Sequence, residues 1–175
     1  IMDGLVGSEM CIRDRLLVDA PMSGAPHSAR TGKLTFMLGG PSSLLENWHP
    51  LFASMGSQIH HLGELGAGMS VKVLNNYVAS SSVVTVRRVL DACQALNVSP
   101  EKLLQIMSES SGGTWYGNQF HEIDWAREGY SAENTIGILE KDVKSFLKAV
   151  EADPLPEDSL LLERLRRLKP YDPEG

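Results

Sequence analysis

Apolar and polar positions alternate in two different ways along this chain. Up to about residue 62 the apolar residues come in short runs closed by turn residues. Leu16-Leu17-Val18 ends at Asp19-Ala20-Pro21, and Leu34-Thr35-Phe36-Met37-Leu38 ends at Gly39-Gly40-Pro41, so both predict buried strands. Between Pro41 and Gly56, the residues Leu44, Leu45, Trp48, Leu51, Phe52 and Met55 recur at three- and four-residue steps. That spacing predicts an amphipathic helix, with Ser42 and Ser43 as start signals and Gly56 as the stop. Ile59 to Leu62 predicts a third strand, giving a strand-helix-strand unit over 34–62 of the kind that builds parallel sheets.

Beyond Gly63 the spacing turns helical throughout. Ala67 to Leu96 has no proline, no glycine after Gly68 and little charge, which predicts one long helix buried on all sides. Ser99-Pro100 supplies a cap and a first-turn proline for a helix to about Ser108. Further helices are expected over Ile136 to Ala152 and Glu157 to Leu168, the last closed by Pro170. Gly112-Gly113 and Glu128-Gly129 mark loops around Trp115, Tyr116, Phe120 and Trp125, aromatics that read as core or lid packing. The expected fold class is α/β followed by all-α, built round the long helix.

Composition narrows what such a fold can do. The 175 residues are 42% hydrophobic and 22% charged, with 16 basic against 22 acidic side chains and a net charge of -6. An acidic surface has no electrostatic footprint for a nucleic-acid backbone. The charge-free stretch Val73 to Val86 is shorter than the ~20 apolar residues of a membrane span and is broken by Asn, Ser and Thr. Two cysteines, Cys11 and Cys93, make neither a disulfide framework nor a zinc site, in keeping with a reducing cytoplasm. Residues 1–15 join no pattern that follows. Ser8-Glu9-Met10-Cys11-Ile12-Arg13-Asp14-Arg15 resembles the translated end of a transposase-type sequencing adapter, so residues 1–15 are expected to be an assembly scar and not native structure.

Lys72 stands out as the only charged residue between Ala67 and Val86 on a helix that reads as buried. A desolvated ammonium has its pKa lowered toward neutrality, as a lysine general acid/base requires; a lysine snorkelling at the helix start is the plainer alternative. Asn76 follows one turn later, about 40° round the helix, with Asn75 beside it. Ser23-Gly24 offers a hydroxyl and a flexible backbone that could hold a carboxylate, although Ser and Gly are also ordinary turn residues. Other apparent signals fail on spacing. Gly66-Ala67-Gly68 starts a dinucleotide fingerprint that breaks at Val71, His121-Glu122 has no second His four residues on, and His60-His61 point to opposite faces of a strand. No metal site is expected.

Taken in order, these segments resemble the β-hydroxyacid dehydrogenases, the group of 3-hydroxyisobutyrate dehydrogenase and tartronate semialdehyde reductase, with 6-phosphogluconate dehydrogenase more distant. Asp19-Ala20-Pro21-Met22-Ser23-Gly24-Ala25 is similar to the family's substrate-binding D-x-P-V-S-G-G, and Gly66-Ala67-Gly68 through Lys72-Val73-Leu74-Asn75-Asn76 to its G-x-G-x-x-x-K-x-x-N-N. Lys141-Asp142 resembles the K-D pair of a later helix, and Ser110-Ser111-Gly112 with Trp115 its serine-glycine loop. Ala25 and Met22 depart from the pattern.

The resemblance implies an NAD- or NADP-dependent oxidoreductase of a small hydroxy acid, with Lys72 as the general acid/base and Asn76 orienting the substrate. It implies Ser23, Gly24 and Asn75 on the substrate, and Lys141 and Asp142 by the cofactor. The domains would be the scar at 1–15, the end of a Rossmann-type NAD(P)-binding domain at 16–65, and a helical catalytic and oligomerisation domain at 66–175, pairing as a homodimer or homotetramer. The family's N-terminal glycine-rich turn is not found, so the chain would be a fragment, inactive alone. The rival readings are an imine reductase on the same scaffold, disfavoured by the lysine, and a non-catalytic helical module, disfavoured by Lys72 and Ser23 together.

Overall fold

The structure, a computed structural model, describes residues 17–151 and 153–172. The adapter-like segment and Cys11 lie outside the described residues. The chain divides into two compact units, Ile1–Leu74 and Asn75–Gly175, and the division falls inside one helix.

The first unit is a three-stranded sheet with helices. In chain order it holds β1 (Met22–Ser23), α1 (Ala25–Arg30), β2 (Leu34–Leu38), α2 (Ser42–Ala53) and β3 (Gly56–His61), with strand order β1-β2-β3. The expected strand-helix-strand unit is present: β2 and β3 run parallel, with Phe36 opposite Ile59. Leu34, Phe36, Leu38, Leu45 and Phe52 form its core, the two Phe rings packing at 5.1 Å between centroids. Burying each such ring contributes roughly 2–3 kcal/mol.

Three expectations need correction here. The segment at Leu17-Val18 is no strand. Pairing begins at Asp19, bridged to Gly39, and becomes the strand β1 at Met22–Ser23, antiparallel to β2; Pro21 has no N–H to continue a ladder, though its carbonyl accepts from Met37 N at 3.0 Å. The Ser23-Gly24 turn leads into a helix, α1, which its polar sequence did not announce. The capping signals of α2 go unused, since Pro41 is the N-cap with no side-chain bond and the helix stops at Ala53. Gly56 instead opens β3, where a Cβ would collide with the Leu34 carbonyl and the Phe36 ring.

The second unit is all helical, as expected. The long helix α3 (Ala67–Leu96) crosses from the first unit and is followed by α4 (Pro100–Ser108), α5 (Trp115–Asn118), a 3-10 turn (Asp124–Arg127), α6 (Thr135–Val150) and α7 (Pro156–Arg166). Ser99 caps α4, accepting from Lys102 N at 3.3 Å, with Pro100 in the first turn. Val83, Val86 and Leu90 of α3 meet Tyr116, Phe120, Ile136, Leu139, Val143 and Leu165 in one core. Tyr116 and Phe120 are core residues, whereas Trp115 is half exposed. The long helix is not buried on all sides: Val71, Leu74, Val78, Val89 and Leu96 remain exposed. With Thr85 they fall within about 60° of one another round the helix.

Candidate active site

The first turn of α3 is fixed by a carboxylate within the first unit. Asp19 accepts the N–H of Gly66 through Oδ1 and that of Met69 through Oδ2, both at 2.6 Å. These are among the amides that a helix start leaves unpaired, and a carboxylate there is favoured by the helix dipole. Close approach requires glycine on both sides: a Cβ at Gly68 would strike the Met37 carbonyl, and one at Gly39 would strike the Asp19 carboxylate and the Glu64 carbonyl. His61 Nε2 adds a contact with the Gly40 carbonyl at 2.9 Å. The end of β2 and the start of α3 are thereby tied together, and the tie sets the stretch of helix that carries Lys72. Asp19 opens the motif read in the sequence, but its role as a clamp is not apparent from spacing, because the partners lie 47 and 50 residues away.

Lys72 lies on the second turn of α3 and is half-buried, not enclosed as the sequence pattern suggests, because Ser70, Val71 and Leu74 around it are exposed. Ser23 and Gly24 stand at the β1–α1 junction in the same unit. Gly24 has φ +135°, and a side chain there would clash with Ser28, so the turn demands glycine.

In the second unit, Asn76 Nδ2 donates to Asp142 Oδ2 on α6 at 2.9 Å, and Asn75 Nδ2 reaches Asn76 Oδ1 at 3.4 Å. The structure thus brings together Asn75, Asn76 and Asp142. Lys141, the neighbour of Asp142, is exposed on α6. Ser80, fully buried, donates to the Asn76 carbonyl at 2.8 Å and reaches the Leu139 carbonyl at 3.5 Å, setting the spacing of α3 and α6 at this level.

Tyr77, next to Asn76 on α3, also has acid/base capacity. It donates to the buried Asp158, and that hydrogen bond, with burial, pushes its pKa up to about 12. A phenol held protonated in this way is no proton acceptor near neutrality. Asp158 also accepts from Leu155 N at 2.8 Å, so the pair fastens the start of α7 to α3.

Two further polar groups of the second unit are architectural. Arg87 is 2% exposed and donates to the carbonyls of Ala126, Glu128 and Lys169 while lying over the Tyr171 ring. Its place three to four residues from Val83 and Leu90 put it on the core face, a signal present in the sequence. Glu140 is buried and accepts from Tyr130, Arg166 and Lys144, which hold its pKa down to about 2.

The donor chemistry suits a nicotinamide dinucleotide in part. The α3 start is filled by Asp19, so its amides at Gly66 and Met69 are not open to a pyrophosphate, and the glycine spacing fails at Val71. Lys141 carries the charge that a phosphate would need and is exposed to meet it. Among the described residues no cluster of His, Cys, Asp or Glu could hold a metal ion, and no helix is long and apolar enough to cross a membrane.

Comparison with known proteins places the chain in a family. Residues 6–63 match the family model for the NAD-binding domain of 6-phosphogluconate dehydrogenase. Residues 66–158 match that for the NAD-binding segment of NADP-dependent 3-hydroxyisobutyrate dehydrogenase. An NAD-dependent L-serine dehydrogenase of Pseudomonas aeruginosa is 33% identical over 164 residues, covering 89% of this chain and 55% of the relative. A 3-hydroxyisobutyrate dehydrogenase of the same organism is 31% identical over 144 residues, covering 78% and 48%. The chain therefore spans about half the length of the curated relatives it matches. Among solved structures, the Mycobacterium tuberculosis 3-hydroxyisobutyrate dehydrogenase with L-serine has the same fold, with a TM-score of 0.65 at 22% identity over 87% of this chain and 57% of that one. With one family model spanning more than half of its residues, the chain belongs to the β-hydroxyacid dehydrogenase family.

Proposed function

We propose that this chain carries the substrate-binding and proton-transfer residues of an NAD- or NADP-dependent oxidoreductase that oxidises a small β-hydroxyacid or reduces the corresponding semialdehyde. The observation that carries the reading is the helix α3 itself. It sets Lys72 one turn before Asn76, and Asp142 on a second helix, α6, accepts from the Asn76 amide. The dinucleotide, when bound, supplies the hydride acceptor or donor. The chain's own residues handle the proton and the substrate. Lys72 takes the hydroxyl proton during oxidation and returns it to the carbonyl oxygen during reduction. Asn76 and Asn75 orient the hydroxyl-bearing carbon, Ser23 and Gly24 bind the carboxylate, and Lys141 lies toward the cofactor. Half-exposure suits Lys72 to this role, since its ammonium must exchange its proton with water between turnovers.

The reading goes with a domain assignment in which 16–65 closes a nucleotide-binding domain and 66–175 forms the catalytic and oligomerising one. The exposed apolar stripe of α3 is of the kind that self-association covers, as a homodimer or homotetramer. The buried free thiol of Cys93 suits a reducing compartment.

The test is Lys72→Met, made in the complete protein or in this chain joined to a relative's nucleotide-binding segment. Methionine keeps the length and the packing without the proton, so folding is retained and turnover falls by the ~100- to 10,000-fold typical of a lost general acid/base. Arginine does not rescue, because it stays charged near neutrality. Oxidation of hydroxy acids by Lys72→Met at close to the parental rate would overturn the assignment.

A further inference from the structure

The geometry points to Asp142 as the positioning residue of Asn76, an inference that rests on the proposed function. It also gives Asp142 a task other than the cofactor contact that family resemblance suggests. Asn76 Nδ2 lies 2.9 Å from Asp142 Oδ2. An ionised carboxylate only accepts, so of the two orientations open to the amide, the nitrogen must face Asp142. The oxygen of Asn76 is then turned to the opposite edge, on the side of exposed Asn75, whose Nδ2 reaches it at 3.4 Å. Asn76 Nδ2 carries two hydrogens and Asp142 takes one, so the other remains to donate to the hydroxyl oxygen of a hydroxy acid, whose own proton stays with Lys72. Were the amide to turn over, its oxygen would face the carboxylate with no proton between them, and Asp142 would no longer hold the side chain.

The surroundings hold the pair at working distance. Ser80, one turn after Asn76 on α3, donates to the Asn76 carbonyl and reaches that of Leu139, three residues before Asp142 on α6. Glu140, two residues before Asp142, anchors α6 to Arg166 of α7. Residues two apart on a helix point about 200° apart, so the acids divide the work: Glu140 fastens the helix and Asp142 faces the α3 amide.

The test compares Asp142→Asn with Asp142→Leu in the complete enzyme, with 3-hydroxyisobutyrate and L-serine as probes, and follows the Asn76 side-chain amide by NMR. Asparagine keeps an oxygen that accepts from Asn76, so Asp142→Asn retains kcat/KM within about threefold, while Asp142→Leu loses about 100-fold, the scale of a misplaced substrate-holding group. One Asn76 amide proton is shifted downfield and slow to exchange in the parental protein and in Asp142→Asn, and not in Asp142→Leu. If Asp142→Leu does not fold, Asp142→Ala carries the same expectation. An equal loss in Asp142→Asn and Asp142→Leu would overturn the inference, since charge and not orientation would then matter; so would an Asn76 amide that exchanges like an exposed one in the parental protein. An amide that behaves as expected in an enzyme that oxidises neither probe nor any related hydroxy acid upholds the positioning and sinks the proposed function alone.

Discussion

Replacing Glu140 by Gln probes the polar network that seats α6, the helix carrying Asp142. In the native protein Glu140 Oε1 accepts from Arg166 Nη2 at 2.7 Å and from Lys144 Nζ at 2.5 Å, while Oε2 accepts from Tyr130 at 2.5 Å. Together they lower its pKa from 4.5 to about 2. Taken whole, that displacement corresponds to about 3 kcal/mol of folding stability at neutral pH. Arg166 and Lys144 are 53% and 55% exposed, however, and water screens them and re-solvates them when the carboxylate goes. The expected loss in Glu140→Gln is therefore about 1–2 kcal/mol at pH 7, or a fall of about 2–8 °C in melting temperature for a chain of this size. Because the folded pKa is depressed, the stabilisation is complete above the unfolded value and disappears as pH falls through the folded one. The gap between parental and Glu140→Gln proteins should stay constant from neutrality to about pH 5.5, drop below half by about pH 3 and close near pH 2. Urea unfolding followed by helical circular dichroism across this range measures the gap directly. A variant as stable as the parent at pH 7, or a gap that persists undiminished at pH 3, would refute the reasoning.

Asp19→Asn turns one of two acceptors at the start of α3 into a donor facing an N–H. It should cost about 1–3 kcal/mol locally, seen as faster hydrogen exchange at the Gly66 and Met69 amides; unchanged exchange would show that the clamp carries no energy. Val78, 67% exposed in the α3 stripe, is the position at which a charge should dissolve self-association. The chain is expected to sediment as a dimer or tetramer at micromolar concentration and Val78→Glu as a monomer. A parental chain that sediments as a monomer and binds no apolar dye would remove the oligomerisation proposal.

Periodicity carried most of the architecture because it records burial directly. The parallel β2–α2–β3 unit, the extent of α3 and the capped start of α4 all follow from which positions are apolar and where Ser, Gly and Pro interrupt them. Lys72 and Asn76 stood out for the same reason, as polar exceptions on an otherwise apolar helix. What misled was the use of turn residues as markers. Gly56 and Ser42 look like helix caps, yet Gly56 is a glycine because β2 leaves no room for a Cβ, and Ser42 lies inside the helix without capping it. The long helix read as buried all round because spacing counts apolar residues and does not say how many neighbours are available to cover them; the exposed stripe from Val71 to Leu96 is the difference.

By itself, then, the sequence determined the parallel strand-helix-strand unit, the longer helices, the α/β-then-helical order and the pairing of lysine and asparagine one turn apart, all consequences of local period and local spacing. Tertiary structure decided the partners of the polar groups. Asp19 meets Gly66 and Met69, Asn76 meets Asp142 66 residues away, and Tyr77 meets Asp158 81 residues away. Each is a hydrogen bond whose two ends are unrelated in spacing, and its existence depends on which faces the packed helices and strands turn toward one another.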